Sequence, residues 1–330
     1  MATPRNHLLR DTPRTEERTA DPIMNRNIGG GSPVEPIAQG TAYPVRMTLF
    51  ELAGPTEFDS PVLVAAFDGW IDAAGAATSC ANHLAAGGDL IASFDADALT
   101  DYRSRRPVLD VIDGRLERIS WPELALRRVP AAGRDLLVLV GPEPDFRWRQ
   151  LGADVLDLSR RLGVVEWITL GAIPAAVPHT RAVNVFATAS APGLLRDGEE
   201  QGPQGLLRVP TAALSAVELA VSEAGVPSVG FYAQVPHYVG GPFASASLAL
   251  LEHIERHLAV TLPTGSLAEE AQSQRARLDA AVAADPATNE YVEQLEAGTG
   301  TDQIPSGDDL ATEIERFLRD EAGGDNPNPL

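Results

Sequence analysis

The run Leu136-Leu137-Val138-Leu139-Val140 is continuously apolar and stops at Gly141. Such a segment must be covered on both faces, which predicts a central strand of an α/β sheet. The residues after it place Trp148, Leu151, Val155, Leu158 and Leu162 at spacings of three and four, one face of an amphipathic helix. With a further apolar segment at Val164–Leu170, strand, helix and strand make a βαβ crossover. The same alternation extends outward. Strands are predicted at Val62–Phe67, Leu90–Phe94, Val108–Ile112, Val183–Ala189 and Val229–Val235. Helices are predicted at Ile71–Ala86, Thr211–Ala224 and Phe243–Val260. This is the pattern of a sheet covered by helices.

The flanks have another character. Residues 1–45 mix charges, prolines and a Gly29-Gly30-Gly31-Ser32 tract without a sustained hydrophobic period, and are expected to be a disordered arm. The core domain is expected over residues 46–262. Beyond it, residues 264–330 hold 15 acids against 4 arginines. Ser266 and Glu269 have capping-box spacing, which opens a helix running to about Ala284. Leu310, Ile314, Phe317 and Leu318 form one side of a last short helix, which must dock on its own domain, a neighbouring subunit or a partner. The expectation is an acidic helical appendage over 263–321 and a disordered tail over 322–330.

Composition removes several functions. All 26 basic residues are arginine. Without lysine there is no phosphate-binding P-loop, no Schiff base and no enzyme-bound pyridoxal phosphate, and no cofactor is called for. A net charge of −20 opposes binding to nucleic acid or anionic lipid. No run of 18 apolar residues exists, so no membrane span is expected, and the N-terminus lacks a secretory apolar region. The expected compartment is the cytoplasm. The single cysteine, Cys80, lies in a predicted helix and is read as a small buried apolar group.

Chemistry-bearing residues gather where strands end, the place at which open α/β sheets bind ligands. Asp68, Gly69, Trp70 and Asp72 follow the Val62 strand, and Asp68 is placed either to cap the next helix or to face a ligand. Arg105 and Arg106 belong to a basic patch that either grips an anion or pairs with Asp101, Asp110 and Asp113. Glu143, between Pro142 and Pro144 and followed by Trp148, is either a general base or part of a rigid turn. His179, Thr180 and Arg181 follow another strand, and His237 with Tyr238 follow the last. Other templates fail: no His-Glu-x-x-His, Gly-x-Ser-x-Gly or Gly-x-Gly-x-x-Gly pattern is found. His253 and His257 have helical spacing, but a solvated face is expected there and no metal site.

Taken in order, these clusters resemble the proteasome assembly chaperone 2 family in its longer actinobacterial form. The segments that carry the resemblance are Phe67 to Ala73, Arg105-Arg106-Pro107, Trp121-Pro122, Gly141 to Pro144 with Trp148, Pro178 to Arg181, and Val235 to Tyr238; it covers about Met47 to Val260. It implies a three-layer α/β/α sandwich with a mostly parallel central sheet, similar to nucleoside phosphorylases and hydrolases, carrying a helical C-terminal appendage. It also implies a homo-oligomer, with a trimer favoured, and a protein partner such as proteasome α-subunits. Two departures stand out: Ala182 replaces the family's usual proline, and the chain ends Asn328-Pro329-Leu330 where docking chaperones end in a hydrophobic-tyrosine-any motif. Two functions are therefore expected. The first is a non-catalytic assembly or interaction protein. The alternative is a small-molecule-binding or phosphorylase/hydrolase-like protein using Glu143, His179, Arg181 and His237.

Overall fold

The computed structural model describes residues 47–131 and 133–298. Nine of its strands form one sheet in the order β1 (Phe50–Leu52), β3 (Asp89–Phe94), β6 (Ala125–Ala131), β7 (Arg134–Gly141), β2 (Val62–Phe67), β8 (Glu166–Ala175), β11 (Ser228–Pro236), β9 (Val185–Ala189) and β10 (Glu200–Gln201). The four central strands β7, β2, β8 and β11 are parallel. Antiparallel pairing extends the sheet through β6, β3 and β1 on one side and through β9 on the other. The apolar run at 136–140 is β7, and it pairs with β2 residue for residue from Val62↔Leu136 to Phe67↔Gly141.

Side chains alternate between two cores because successive residues of a strand face opposite ways. Val62, Val64, Leu136, Val138, Ile168, Leu170 and Phe231 meet α1 (Ala76–Ala85) and α5 (Ala244–Leu258). Leu63, Ala65, Leu137, Leu139 and Trp167 meet α3 (Trp148–Leu162) and α4 (Ala213–Glu223). The result is a three-layer α/β/α sandwich. Each fully buried large apolar side chain stabilises it by roughly 1.5–3 kcal/mol. Cys80 is wholly enclosed in the α1 core, and burial pushes its thiol pKa well up. After α5, α6 (Leu267–Ala284) and α7 (Pro286–Gly298) follow, with α6 packed on α5.

Four expectations change. Val108–Ile112 forms β4, but outside the main sheet: Asp113 and Gly114 both take positive φ, 49° and 78°, and reverse the chain into β5 (Arg115–Ser120). Both central residues at positive φ make the tight turn that matches a hairpin's twist, so β4 closes locally. Next, α1 starts at Ala76 rather than Ile71, because Asp72 bridges to Ala172 and a 3₁₀ turn, Ala73–Gly75, intervenes. Third, Ser266 precedes α6, yet its hydroxyl bonds Glu270 Oε1 at 2.6 Å and makes no capping box with Glu269. Fourth, His257 is not on a solvated face but buried, with Nε2 at 2.8 Å from Glu166 and Nδ1 at 2.9 Å from Glu199. Phe231 of β11, Glu166 at the start of β8 and Glu199 close over this part of α5, so a helix face that reads as polar is covered. The helix expected around Leu310–Leu318 and the arm over 1–45 lie outside the described residues.

Burial alone would lower the pKa of His257, but hydrogen bonds and charge from Glu166 and Glu199 outweigh it and raise the value. Its contribution to stability is fully present below the ordinary value of about 6.5 and is lost as pH rises through the folded value. Removing one partner from a buried ion network is strongly destabilising, so His257→Ala should lower the unfolding free energy by about 3 kcal/mol near pH 6. Urea titrations should show this gap narrowing as the pH is raised into the alkaline range.

Candidate functional site

At the ends of β2 and β7 the polar residues bind one another. Asp68 accepts the Glu143 N–H through Oδ1 at 3.0 Å and pairs with the Arg105 guanidinium through Oδ2. Glu143 in turn accepts the Ala213 N–H at 2.6 Å and the Trp70 N–H at 3.3 Å. Its carboxylate therefore sits on the positive N-terminal end of α4, where free N–H groups and the helix dipole favour an anion. Gly69, at φ 111°, makes the approach possible: a Cβ there would lie 2.7 Å from Glu143 Oε2. The Trp70 indole is fixed by a bond from Nε1 to Pro210 O at 3.1 Å.

Asp68 does not cap the following helix. Asp72 does, accepting the Ala77 and Thr78 N–H groups at 2.7 and 3.2 Å and the Thr78 hydroxyl. Burial raises the Asp72 pKa against these bonds. Arg105 pairs with Asp68 rather than with the acids near it in sequence. Arg106 is exposed and lines a cleft with Trp121 and Pro142 at the foot of the β4–β5 hairpin. Trp148 donates through Nε1 to Pro144 O and packs into the α3 core, an anchoring role for the Pro-Glu-Pro turn.

The second group lies beneath α6 and α7. The His179 N–H donates to Tyr238 Oη at 2.7 Å, and Nδ1 is also 2.7 Å from that oxygen. Nε2 is 3.2 Å from Asp279 of α6. Tyr238 has one hydroxyl hydrogen, which goes to Nδ1; Nε2 then carries the imidazole proton toward Asp279. Arg275 of α6 bonds both His179 O at 3.1 Å and Asp279 at 2.8 Å. Thr180 and Arg181 hold Glu296 of α7, through its side chain and its carbonyl respectively. His237 bonds Ala175 O through Nδ1 and Tyr291 Oη through Nε2, at 3.2 and 3.1 Å. These residues fasten the C-terminal helices to their own domain.

Of the twelve candidate residues, Asp68, Trp70, Arg105 and Glu143 form one set by the start of α4 and His179, Thr180, Arg181, His237 and Tyr238 another under α6 and α7, while Asp72 caps α1, Arg106 lies at the hairpin foot and Trp148 packs into the α3 core. Since α4 and the α5–α6 pair belong to opposite faces of the sheet, Glu143 does not join His179, Arg181 and His237 in one pocket. Sequence reasoning missed Phe186, Thr188 and Tyr232, which line an apolar cavity of about 250 Å³ with Trp70 and Ser215. It also missed Glu218, whose Oε2 accepts from Thr169 at 2.7 Å and whose pKa burial raises. The available signal was the pair Gly171 and Gly230 inside strands, since an isolated strand glycine marks a close approach. A Cβ on either would meet the Tyr232 ring, at 2.4 and 2.8 Å. Among the described residues no group of three or more His, Cys, Asp or Glu side chains is placed to hold a metal.

Burial, and then the nearby Arg275 charge, lower the His179 pKa against the raising influence of Asp279 and Glu296. Its stabilising contribution is therefore complete above about 6.5 and is lost as pH falls from there toward the folded value. Asp279, lowered chiefly by Arg275, stays ionised through this window. Hydrogen exchange of α6 and α7, corrected for intrinsic rates, should speed up from about pH 7.5 to about pH 5.5, and His179→Gln should flatten that dependence. Tyr238→Phe should loosen the same helices about tenfold at neutral pH, the loss of roughly one net hydrogen bond.

With this geometry in view, the comparisons with known proteins are specific. The sequence profile of the PAC2 family matches residues 66–282, from the end of β2 into α6. A Corynebacterium glutamicum protein of unknown function is 32% identical with a TM-score of 0.71, the match covering 76% of this chain and 96% of that one. A Streptomyces avermitilis PAC2 family protein is 36% identical, TM-score 0.64, covering 70% and 99%. A Mycobacterium tuberculosis proteasome-assembly chaperone homologue is 34% identical, TM-score 0.64, again covering 70% and 99%. No curated protein gives a match. On the profile match and these identities, the chain belongs to the PAC2 family.

Proposed function

We propose that this chain is a non-catalytic assembly protein, related in role to proteasome assembly chaperones, that acts through the β4–β5 hairpin. The supporting observation is that hairpin's surface. Residues opposite one another on paired strands share a face. On one face Leu109 opposes Ile119 and, past a bulge at Glu117, Val111 opposes Leu116, so four apolar side chains share that face. Their exposures are 45, 49, 54 and 74%, and Trp121 at the foot is 55% exposed. With Trp121 these side chains form one apolar patch of a few hundred Å², in the range of roughly 300–600 Å² of the largest patches found on monomers. A two-stranded hairpin is marginal alone and gains stability when such a face is covered.

The reading takes a second copy of the chain, in a trimer, and proteasome α-subunits as its partners, in the cytoplasm. The M. tuberculosis relative described as a chaperone homologue supports that choice. The net charge of −20 disfavours nucleic acid, and among the described residues no helix is long and apolar enough to cross a membrane. The core of residues 46–262 and the appendage of 263–321 act together in this reading, because His179, Thr180 and His237 bind α6 and α7. A phosphorylase- or hydrolase-like site has less support, since Glu143 caps a helix and the histidines lie under the appendage.

Native mass spectrometry of the purified full chain, alone and mixed with proteasome α-subunits, tests this directly. The wild type should form defined homo-oligomers and bind α-subunits. Val111→Asp with Leu116→Asp should weaken both associations at least about tenfold, as the loss of buried apolar contacts requires, while the thermal midpoint holds. A wild type that stays monomeric and alone, or a variant that assembles unchanged, would refute the proposal.

A further inference from the structure

A cavity of about 250 Å³ opens over the C-terminal end of β8, the middle of β11 and the adjoining β9, on the α4 face, sharing no lining residue with the hairpin or the C-terminal helices. Its floor is flat. Phe186 and Tyr232 stack with ring centroids 5.3 Å apart and planes 16° from parallel. Tyr232 lies down on the sheet because Gly171 and Gly230 leave no side chain beneath it, and Phe186 stacks on it with an offset, so both rings line the cavity. Trp70 and Ile173 form a wall, and the first turn of α4 with Ser215 forms another.

These walls are held rigidly and by one group. Glu143 accepts from the Trp70 N–H and from the Ala213 N–H, tying the tryptophan loop to the start of α4 across the cavity. The bond from Trp70 Nε1 to Pro210 O fixes the indole to the segment that carries Leu207 and Val209 at the rim. A preformed cavity loses little freedom on binding, which favours affinity. No charged side chain lines it, and its polar contribution comes from hydroxyls such as those of Thr188 and Ser215. A charged ligand would lose its hydration with no counter-ion in return. The volume exceeds the about 150 Å³ that accepts benzene in an apolar protein cavity and falls short of a typical drug-sized pocket.

We infer that this cavity binds a small uncharged aromatic molecule of one or two fused rings, packed against the Phe186–Tyr232 pair beside Trp70. The site is independent of the assembly reading, since it shares no residue with the hairpin.

Calorimetry and saturation-transfer NMR on the full chain, with indole and 2-naphthol as neutral probes and 2-naphthoate as the charged analogue, test the inference. The expected result is saturable one-to-one binding of a neutral probe, with 2-naphthoate at least about tenfold weaker. Ser215→Trp, which fills the cavity from α4, should reduce neutral binding by about tenfold or more. Leu207→Trp at the rim provides a second obstruction if the first variant loses its circular dichroism spectrum or thermal midpoint. The inference is overturned if neither neutral probe saturates, if 2-naphthoate binds as tightly, or if binding survives in the folded obstructing variants.

Discussion

The Glu143 carboxylate is the point on which the strand-end region depends. Its residue belongs to the turn after β7, its oxygens take N–H groups from the loop after β2 and from the start of α4, and its own N–H is held by Asp68. Three separate stretches of chain are thereby referenced to one side chain. The arrangement satisfies a helix N-terminus, which would otherwise leave N–H groups without partners. It also explains a local sequence requirement: Gly69 precedes Trp70 because a Cβ would occupy the place of a carboxylate oxygen. The aromatic cavity inherits its two walls from this contact.

The opposite face solves a different problem with similar residue types. There the loops after β8 and β11 carry His179 and His237, and these receive α6 and α7 through hydrogen bonds to Asp279, Arg275 and Tyr291, with the Arg275–Asp279 pair alongside. Polar residues at strand ends are often the mark of catalysis. In this chain they organise loops and anchor an appendage, and each satisfies backbone or side-chain groups where strands stop.

Much of the fold was legible because its signals are local. The uninterrupted apolar run of β7 and the three-and-four spacing of α3 specify a buried strand and its covering helix with no other information. The hairpin was half legible: β4 reads as a strand, but nothing within it says that its partner begins just past a two-residue turn rather than lying in the main sheet. For the site, residue types identified the strand-end clusters, whereas their division between two faces depends on which helix lands where. Glu143 illustrates the limit. A turn glutamate between prolines looks the same whether it meets a substrate or the N–H of Ala213, seventy residues on. Tyr232 and Phe186 were invisible as a pair because β9 and β11 are separated by β10 and α4 in sequence and adjoin only in the sheet.

The parallel centre of the sheet has a consequence for how the chain acquires its structure. β2 is among the first strands synthesised, is buried along its whole length, and pairs only with β7 and β8, whose residues arrive much later. The β6–β7 and β4–β5 hairpins close at short range and can form early, whereas β2 must wait with six apolar residues uncovered. During translation the ribosome therefore exposes a sticky segment before its neighbours exist, so the nascent chain is itself a natural client for holding factors until Ala175 has emerged.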